Sequence, residues 1–483
     1  MKTMKIKYLT FGILLSMTSL AHASDHVATT PIDFSQPLPK LDSLENIKQA
    51  EFHLPSFERF QAAGNVPVIF TKLDSLPMVD ISVEFRAGSA HDGKIRPDAQ
   101  GIANMTATLL TKGTKTLDEE AFLLKRDSLG IQLDAGAGKD SFGVSLRSLS
   151  DEETLNDALD LMKQMLTEPA FDESVLARNK ETLKNTLRQN EQNPNYIANR
   201  TYTQALFKDH PYGTLTTGDI ESVDQLTRND LNTYMDKFLV RQNATITITG
   251  NLSQERARQI ANDIASSLPN GTASSAIATP TNPTKAHIHV PHDSTQTSII
   301  IGHLAPKFAT NEQEFVQKTQ FGLANNALAG SSFNARLMDE IREKRGYTYG
   351  IYGRSTSLKN AGSYQISFST ASNQAINAIN DTLQIVNDTI SQGIGEDELN
   401  LVKNQQTHRY PMSFASNAAI HGIATTLNLH NLPDSYATDE IKRIQSTELD
   451  DANQALKSTI KPDDFIIVTV GQDKPDLSHL FQE

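Results

Sequence analysis

The chain has 483 residues, 38% of them hydrophobic, no cysteine and a formal net charge of −13. Its acidity argues against nucleic acid and anionic membrane surfaces as partners, and the lack of cysteine excludes a disulfide framework, so stability outside the cytosol must come from core burial. The length suits two to four domains of roughly 100–200 residues each.

Residues 1–23 read as a cleavable export signal: Lys2, Lys5 and Lys7 precede an apolar run from Leu9 to Leu15, and Ala21-His22-Ala23 has the small-x-small form a signal peptidase accepts. The apolar run falls short of the about 20 residues that span a bilayer. Loss of this leader, with its three lysines and no acid, takes the net charge from −13 to −16. The expected location is a bacterial periplasm, with simple secretion as the alternative. Residues 24–58, punctuated by Pro31, Pro37, Pro39 and Pro55, read as an extended arm.

The stretch 269–285 is small, polar and proline-bearing, the composition of an interdomain linker. It separates two domains, 59–268 and 286–483, that carry a weak ordered repeat. Each opens with β-rich segments (Val66–Phe70 and Asp80–Phe85; His287–Val290 and Ser298–Ile301) and continues through a pair of helical segments around Asp157 and Asp381. Each closes on a β-branched strand ending in glycine, Gly250 or Gly471. Equivalent points lie 224 residues apart for Asp157 and Asp381, and 221 apart for Gly250 and Gly471. The expected fold is α+β: two homologous domains, each an antiparallel-rich sheet packed with helices.

Residues Gly101-Ile-Ala-Asn-Met-Thr-Ala-Thr-Leu-Leu-Thr-Lys-Gly-Thr114 form an apolar-striped helix with a stop at Lys112-Gly113. Together with Gly88-Ser89 upstream, this segment resembles the insulinase-like peptidases of the pitrilysin and mitochondrial processing peptidase type. Their helix reads Gly-Leu-Ala-His-Phe-Leu-Glu-His-Met-Leu-Phe-Lys-Gly-Thr. Gly101, Ala103, Leu110, Lys112, Gly113 and Thr114 match it without gaps. In the family the two histidines bind zinc and the glutamate activates water. Those positions hold Asn104, Thr108 and Ala107 here, and counting back from Asn193-Pro194 puts the remaining ligand position at Asn185, with Glu181 the nearby acid. A carboxamide and a hydroxyl are poor ligands for catalytic zinc, and a methyl group accepts no proton. The resemblance therefore implies a chain that kept the fold and lost the metal.

A second, longer match runs from Leu328 to Tyr349 and includes the loop Gly330-Ser331-Ser332 and the run Ile341-Arg-Glu-Lys-Arg-Gly346. In the family the corresponding arginine and tyrosine face the scissile region of the substrate; the resemblance assigns those roles to Arg342 and Tyr349. A guanidinium and a phenol can donate to a peptide carbonyl and to the oxyanion that develops there. As plain residues they read instead as a surface charge on a helix end and a strand aromatic. Arg345 and Tyr347 read as surface and packing residues, and Asp209-His-Pro-Tyr-Gly213 as a family-like turn in which His210 is a surface side chain. His287, His289 and His292 cluster without an acidic neighbour at metal-site spacing.

The resemblance implies a non-zinc-binding subunit that contributes Arg342 and Tyr349 to a heterodimeric peptidase acting on short or unfolded peptides. No cofactor is expected in this chain, and zinc is expected in the partner. An inert peptide-binding or assembly scaffold of the same fold is the alternative, and a self-sufficient peptidase with another metal or mechanism a third.

Overall fold

The computed structural model describes residues 55–481. The export signal expected at 1–23 lies outside them, as does nearly all of the arm expected at 24–58, whose last residue, Glu58, opens the first strand.

The first half builds a sheet from β1 (Glu58–Ala62), β2 (Val66–Lys72), β3 (Met78–Phe85), β4 (Gln132–Ala137), β5 (Phe142–Leu149) and β6 (Ala244–Gly250), in the order β1-β2-β6-β3-β5-β4. The second half uses β7 (Ala286–Pro291), β8 (Gln296–Ala305), β9 (Ile351–Ser357), β10 (Gly362–Ala371) and β11 (Ile466–Gly471), in the order β7-β11-β8-β10-β9. With β1 set aside, the two orders are the same, as duplication requires. Antiparallel pairs dominate, but each sheet is mixed: its last strand runs parallel to its first, β6 beside β2 and β11 beside β7.

The closing strands show why the chain folds this way. Every residue of β6 and of β11 is buried, so both faces of each sheet are covered at its centre. In β6, alternation sends Ile246 and Ile248 into the first half's own core with Phe70, Val79 and Ile81, and turns Thr245, Thr247 and Thr249 to the opposite face. In β11, Ile467 joins the core of the second half while Ile466, Val468 and Val470 face the other way.

Each outward face is covered by a helix from the other half. The helix Pro194–Leu206, with Asn193 as its cap and Pro194 at its first turn, packs on β8 and β11. It buries Ile197, Ala198, Tyr202 and Leu206 against Ile300, Ile466, Val468 and Val470. The Tyr202 hydroxyl donates to the Tyr364 carbonyl at 2.8 Å. Gly302 provides the room, because a Cβ there would stand 2.3 Å from that hydroxyl. In return, the helix Asn417–Leu429 packs on β2, β3 and β6. This second contact adds polar bonds to the packing of Ile69 with Ala424 and Leu427. His421 Nε2 lies 2.7 Å from Ser82 Oγ and its Nδ1 lies 3.0 Å from Thr249 Oγ1, while Asn428 Nδ2 donates to the Ile246 carbonyl at 2.7 Å.

Residues 269–285 have no regular structure but are strapped down on both sides. Asn243 Oδ1 accepts from the Ser274 amide at 2.7 Å, and the Ile277 carbonyl accepts from Asn360 Nδ2 at 2.8 Å.

Two consequences are testable. Tyr202→Ala should cost about 3–5 kcal/mol in chemical denaturation, through cavity formation beneath β11, and Tyr202→Phe only about 1 kcal/mol for the hydrogen bond; an alanine variant as stable as the parent would contradict the helix exchange. Burial depresses the His421 pKa from its ordinary 6.5 to about 4. Between those values the unfolded chain holds the extra proton, so stability is full above 6.5 and falls as pH drops toward 4. His421→Gln should flatten that limb by up to about 1.4 kcal/mol per pH unit. Residual slope should persist, because His91 is shifted in the same direction.

Candidate functional site

The helix Ile102–Leu110 begins at Gly101, whose left-handed φ of 91° and close approach to the Thr217 carbonyl (2.5 Å from a built Cβ) admit only glycine. The buried carboxylate of Asp92 holds its first turn, accepting from the Gly101 amide at 2.8 Å and the Ala103 amide at 3.1 Å. Burial nevertheless pushes the Asp92 pKa up to about 7. The helix packs against the helix Arg228–Phe238 and edge strand β4, as the helix Glu312–Ala329 packs against Leu449–Thr459 and β9 in the second half. The frame is therefore intact.

Its side chains are not those of a metal site. Ala107 is buried, and Asn104 and Thr108 are half-buried one turn apart. The Thr108 hydroxyl donates back to the Asn104 carbonyl at 2.9 Å. Asn185 is exposed on the helix Glu173–Asn190 and accepts from Arg188 at 2.7 Å, with no hydrogen bond to the helix 102–110. The inward residue beside it is Lys184, and Glu181 is engaged there: Lys184 Nζ lies 2.6 Å from Glu181 and 2.5 Å from Asp224. Among the described residues no three His, Cys, Asp or Glu side chains converge in a group able to hold a metal ion. What the three positions present is a carboxamide, a methyl and a hydroxyl.

In the second half Gly330 ends the helix Glu312–Ala329, and Ser332 opens the turn that leads into the next, its hydroxyl accepting from the Asn334 amide at 3.2 Å and its carbonyl from Ala335 at 3.0 Å. Ser331 is exposed. The signature helix then widens to π-helical geometry over Met338–Lys344, a rare form frequent at functional sites. Arg342 sits on that stretch with its guanidinium 4.6 Å from the Phe333 ring centre and Nε 3.5 Å from Glu343. Tyr349 is 88% exposed in the loop before β9 rather than a packed strand aromatic. It lines an open cavity of about 430 Å³ with Asn195, Asn199, Tyr352 and Ser367, which Arg342 does not line. Asn195 and Asn199 belong to the exchanged helix 194–206, so both halves shape that cavity. Arg345 and Tyr347 both turn to Asp381.

His287 and His289 share one partner, the Thr469 hydroxyl, at 2.9 and 3.0 Å, and burial lowers the pKa of both. The His-Pro-Tyr-Gly turn does more than its motif suggests. His210 Nε2 lies 2.8 Å from the Ala278 carbonyl of the strap, and the buried Tyr212 donates to Asp140 Oδ1 at 2.7 Å. Asp140 Oδ2 accepts in turn from the Lys359 amide of the second half at 2.8 Å. No sequence motif marked Asp140 or Lys359, because their roles arise only where the two halves meet.

Two family models match the chain: "Insulinase (Peptidase family M16)" over residues 68–219 and "Peptidase M16 inactive domain" over residues 225–406. The chain is 25% identical over 413 residues to a protein of Helicobacter pylori named a non-peptidase homolog, YmxG, spanning 86% of this chain and 93% of that one. It is 24% identical to a Bacillus subtilis protein named an uncharacterized zinc protease, YmxG, over 72% and 82% of the two chains. A crystal structure of a peptidase M16 inactive domain from Pseudomonas fluorescens superimposes with a TM-score of 0.81 and 29% identity, covering 87% of this chain and 98% of that one.

Restoring the two histidines alone should not restore a metal centre, since the third ligand position holds a carboxamide already bonded to Arg188. Asn104→His combined with Thr108→His is expected to carry clearly substoichiometric zinc after dialysis; one equivalent by mass spectrometry would show that a further ligand is within reach.

Proposed function

Since this chain belongs to the insulinase-type peptidase family M16, as a homologue of its inactive kind, we propose that it is the zinc-free subunit of a two-chain peptidase in a bacterial periplasm. The signal at residues 1–23 exports it, and it lends substrate-binding groups to a zinc-bearing chain of the same family. One asymmetry carries this reading: the first half keeps the helix 102–110 in place without ligands or base, while the second half holds Tyr349 out into an open cavity. A phenol exposed there can donate to a peptide carbonyl as its oxygen gains charge, and Arg342, with one carboxylate at 3.5 Å, keeps guanidinium donors for the same purpose. Short or unfolded peptides suit the free edges of β4 and β9, each of which pairs on one side only. Among the described residues no helix is long and apolar enough to cross a membrane.

The scaffold reading draws on a different observation, that Arg342 packs on Phe333 and does not line the Tyr349 cavity. Reconstitution separates the two. The chain alone should neither hydrolyse peptides nor hold zinc, and mixing with its partner should give hydrolysis. Arg342→Ala and Tyr349→Phe should then lower kcat/KM by about 10²-fold with complex formation unchanged. Unchanged turnover in both variants would leave only the scaffold role, and chelator-sensitive hydrolysis by the chain alone would overturn both.

A further inference from the structure

Where the two halves meet, a cavity of about 350 Å³ opens between the end of β3, the β4–β5 hairpin, the end of the exchanged helix 417–429 and two loops of the second half. Arg86, Lys139 and Lys359 line it, together with His430 and Phe308, whose rings stack at 4.0 Å and 15°. None of Asn104, Arg342 and Tyr349 does.

The charges here do not balance. Although the chain carries a net −13, none of the three cations has a carboxylate partner within ion-pair distance among the described residues. Arg86 spends Nε on the Leu429 carbonyl at 3.3 Å, and Lys139 reaches the Thr214 carbonyl. The acid in the wall, Asp140, has both oxygens occupied by neutral donors, the Tyr212 hydroxyl and the Lys359 amide. Glu84, two residues before Arg86 near the end of β3, does not line the cavity, and burial pushes its pKa up to about 7. Burial also lowers the pKa of Arg86 and takes that of Lys139 down to about 8, outweighing the opposing pull of Asp92 and Asp140. Leu358, Leu429 and the stacked Phe308–His430 pair give the wall an apolar and aromatic side, beside the neutral polar groups of Ser141, Thr310, Ser357 and Asn431.

We propose that this seam cavity binds a carboxylate that carries an adjoining apolar or aromatic group, with Arg86 and Lys359 holding the carboxylate and the Phe308–His430 stack holding the apolar part. A free aromatic acid and the C-terminal residue of a peptide share that chemistry.

The test is calorimetric titration of the full mature chain in phosphate-free buffer with N-acetyl-phenylalanine, its amide, a pentapeptide ending in free phenylalanine, and inorganic phosphate. The acid should bind at least about ten-fold more tightly than the amide, and Lys359→Gln, at an exposed position, should weaken it by about ten-fold with the melting temperature unchanged. Phe308→Ala should weaken the acid but leave phosphate as it was. Tighter binding of the pentapeptide than of the free acid identifies a peptide terminus as the occupant, and the reverse identifies a small acid. The site is refuted if acid and amide bind alike, if neither acid nor pentapeptide binds, if phosphate matches the acid, or if Lys359→Gln leaves affinity intact.

Discussion

The reciprocal loan of helices is the constraint on which the rest of this molecule depends. A sheet whose central strand is buried on both faces needs two coverings, and each half supplies only one of its own. The helix 194–206 completes the second sheet and the helix 417–429 completes the first, so neither half can bury its own closing strand alone. The two loans are unequal in kind. One is largely apolar, with Tyr202 clustered with Ile300 and Val468; the other joins Ile69, Ala424 and Leu427 to a polar set, His421 and Asn428 over serine and threonine. Duplication preserved the geometry, and the chemistry of the two interfaces then diverged.

Much of this architecture was legible in the sequence because it rests on local patterns. The β-branched closing strands, the helix pairs and the near-constant offset between the halves announced two copies of one α+β unit, and both copies are present with the same strand order. The parallel pairing of first and last strands was not legible, since β6 and β11 enter the middle of their sheets from more than a hundred residues away and no local signal records the neighbour. The helix exchange escaped for the same reason: Pro194–Leu206 has an ordinary amphipathic pattern that does not say whose sheet it covers.

At the site, residue identity told more than residue position. Asn104, Ala107 and Thr108 could be placed by register, and the structure adds that the Thr108 hydroxyl is turned onto its own helix. Asn185 was reached by counting from Asn193-Pro194, and the side chain there is exposed and bonded to Arg188 while Lys184 is buried. Arg342 and Tyr349 were named together from one signature, yet the π-helical stretch and the loop before β9 give them different surroundings. Spacing along a chain fixes which residues share an element; it does not fix which way a loop residue faces.

The insertion of each closing strand between earlier ones also bears on how the chain reaches its native form. β2 and β3 are made early, but they are joined only through β6, some 160 residues later, and β7 and β8 wait in the same way for β11 near the C-terminal end. Such late, long-range pairing makes assembly slow and leaves hydrophobic strand edges open in the meantime. The first sheet can close once β6 is available but stays uncovered on one face until the helix 417–429 follows, and the second cannot close before β11.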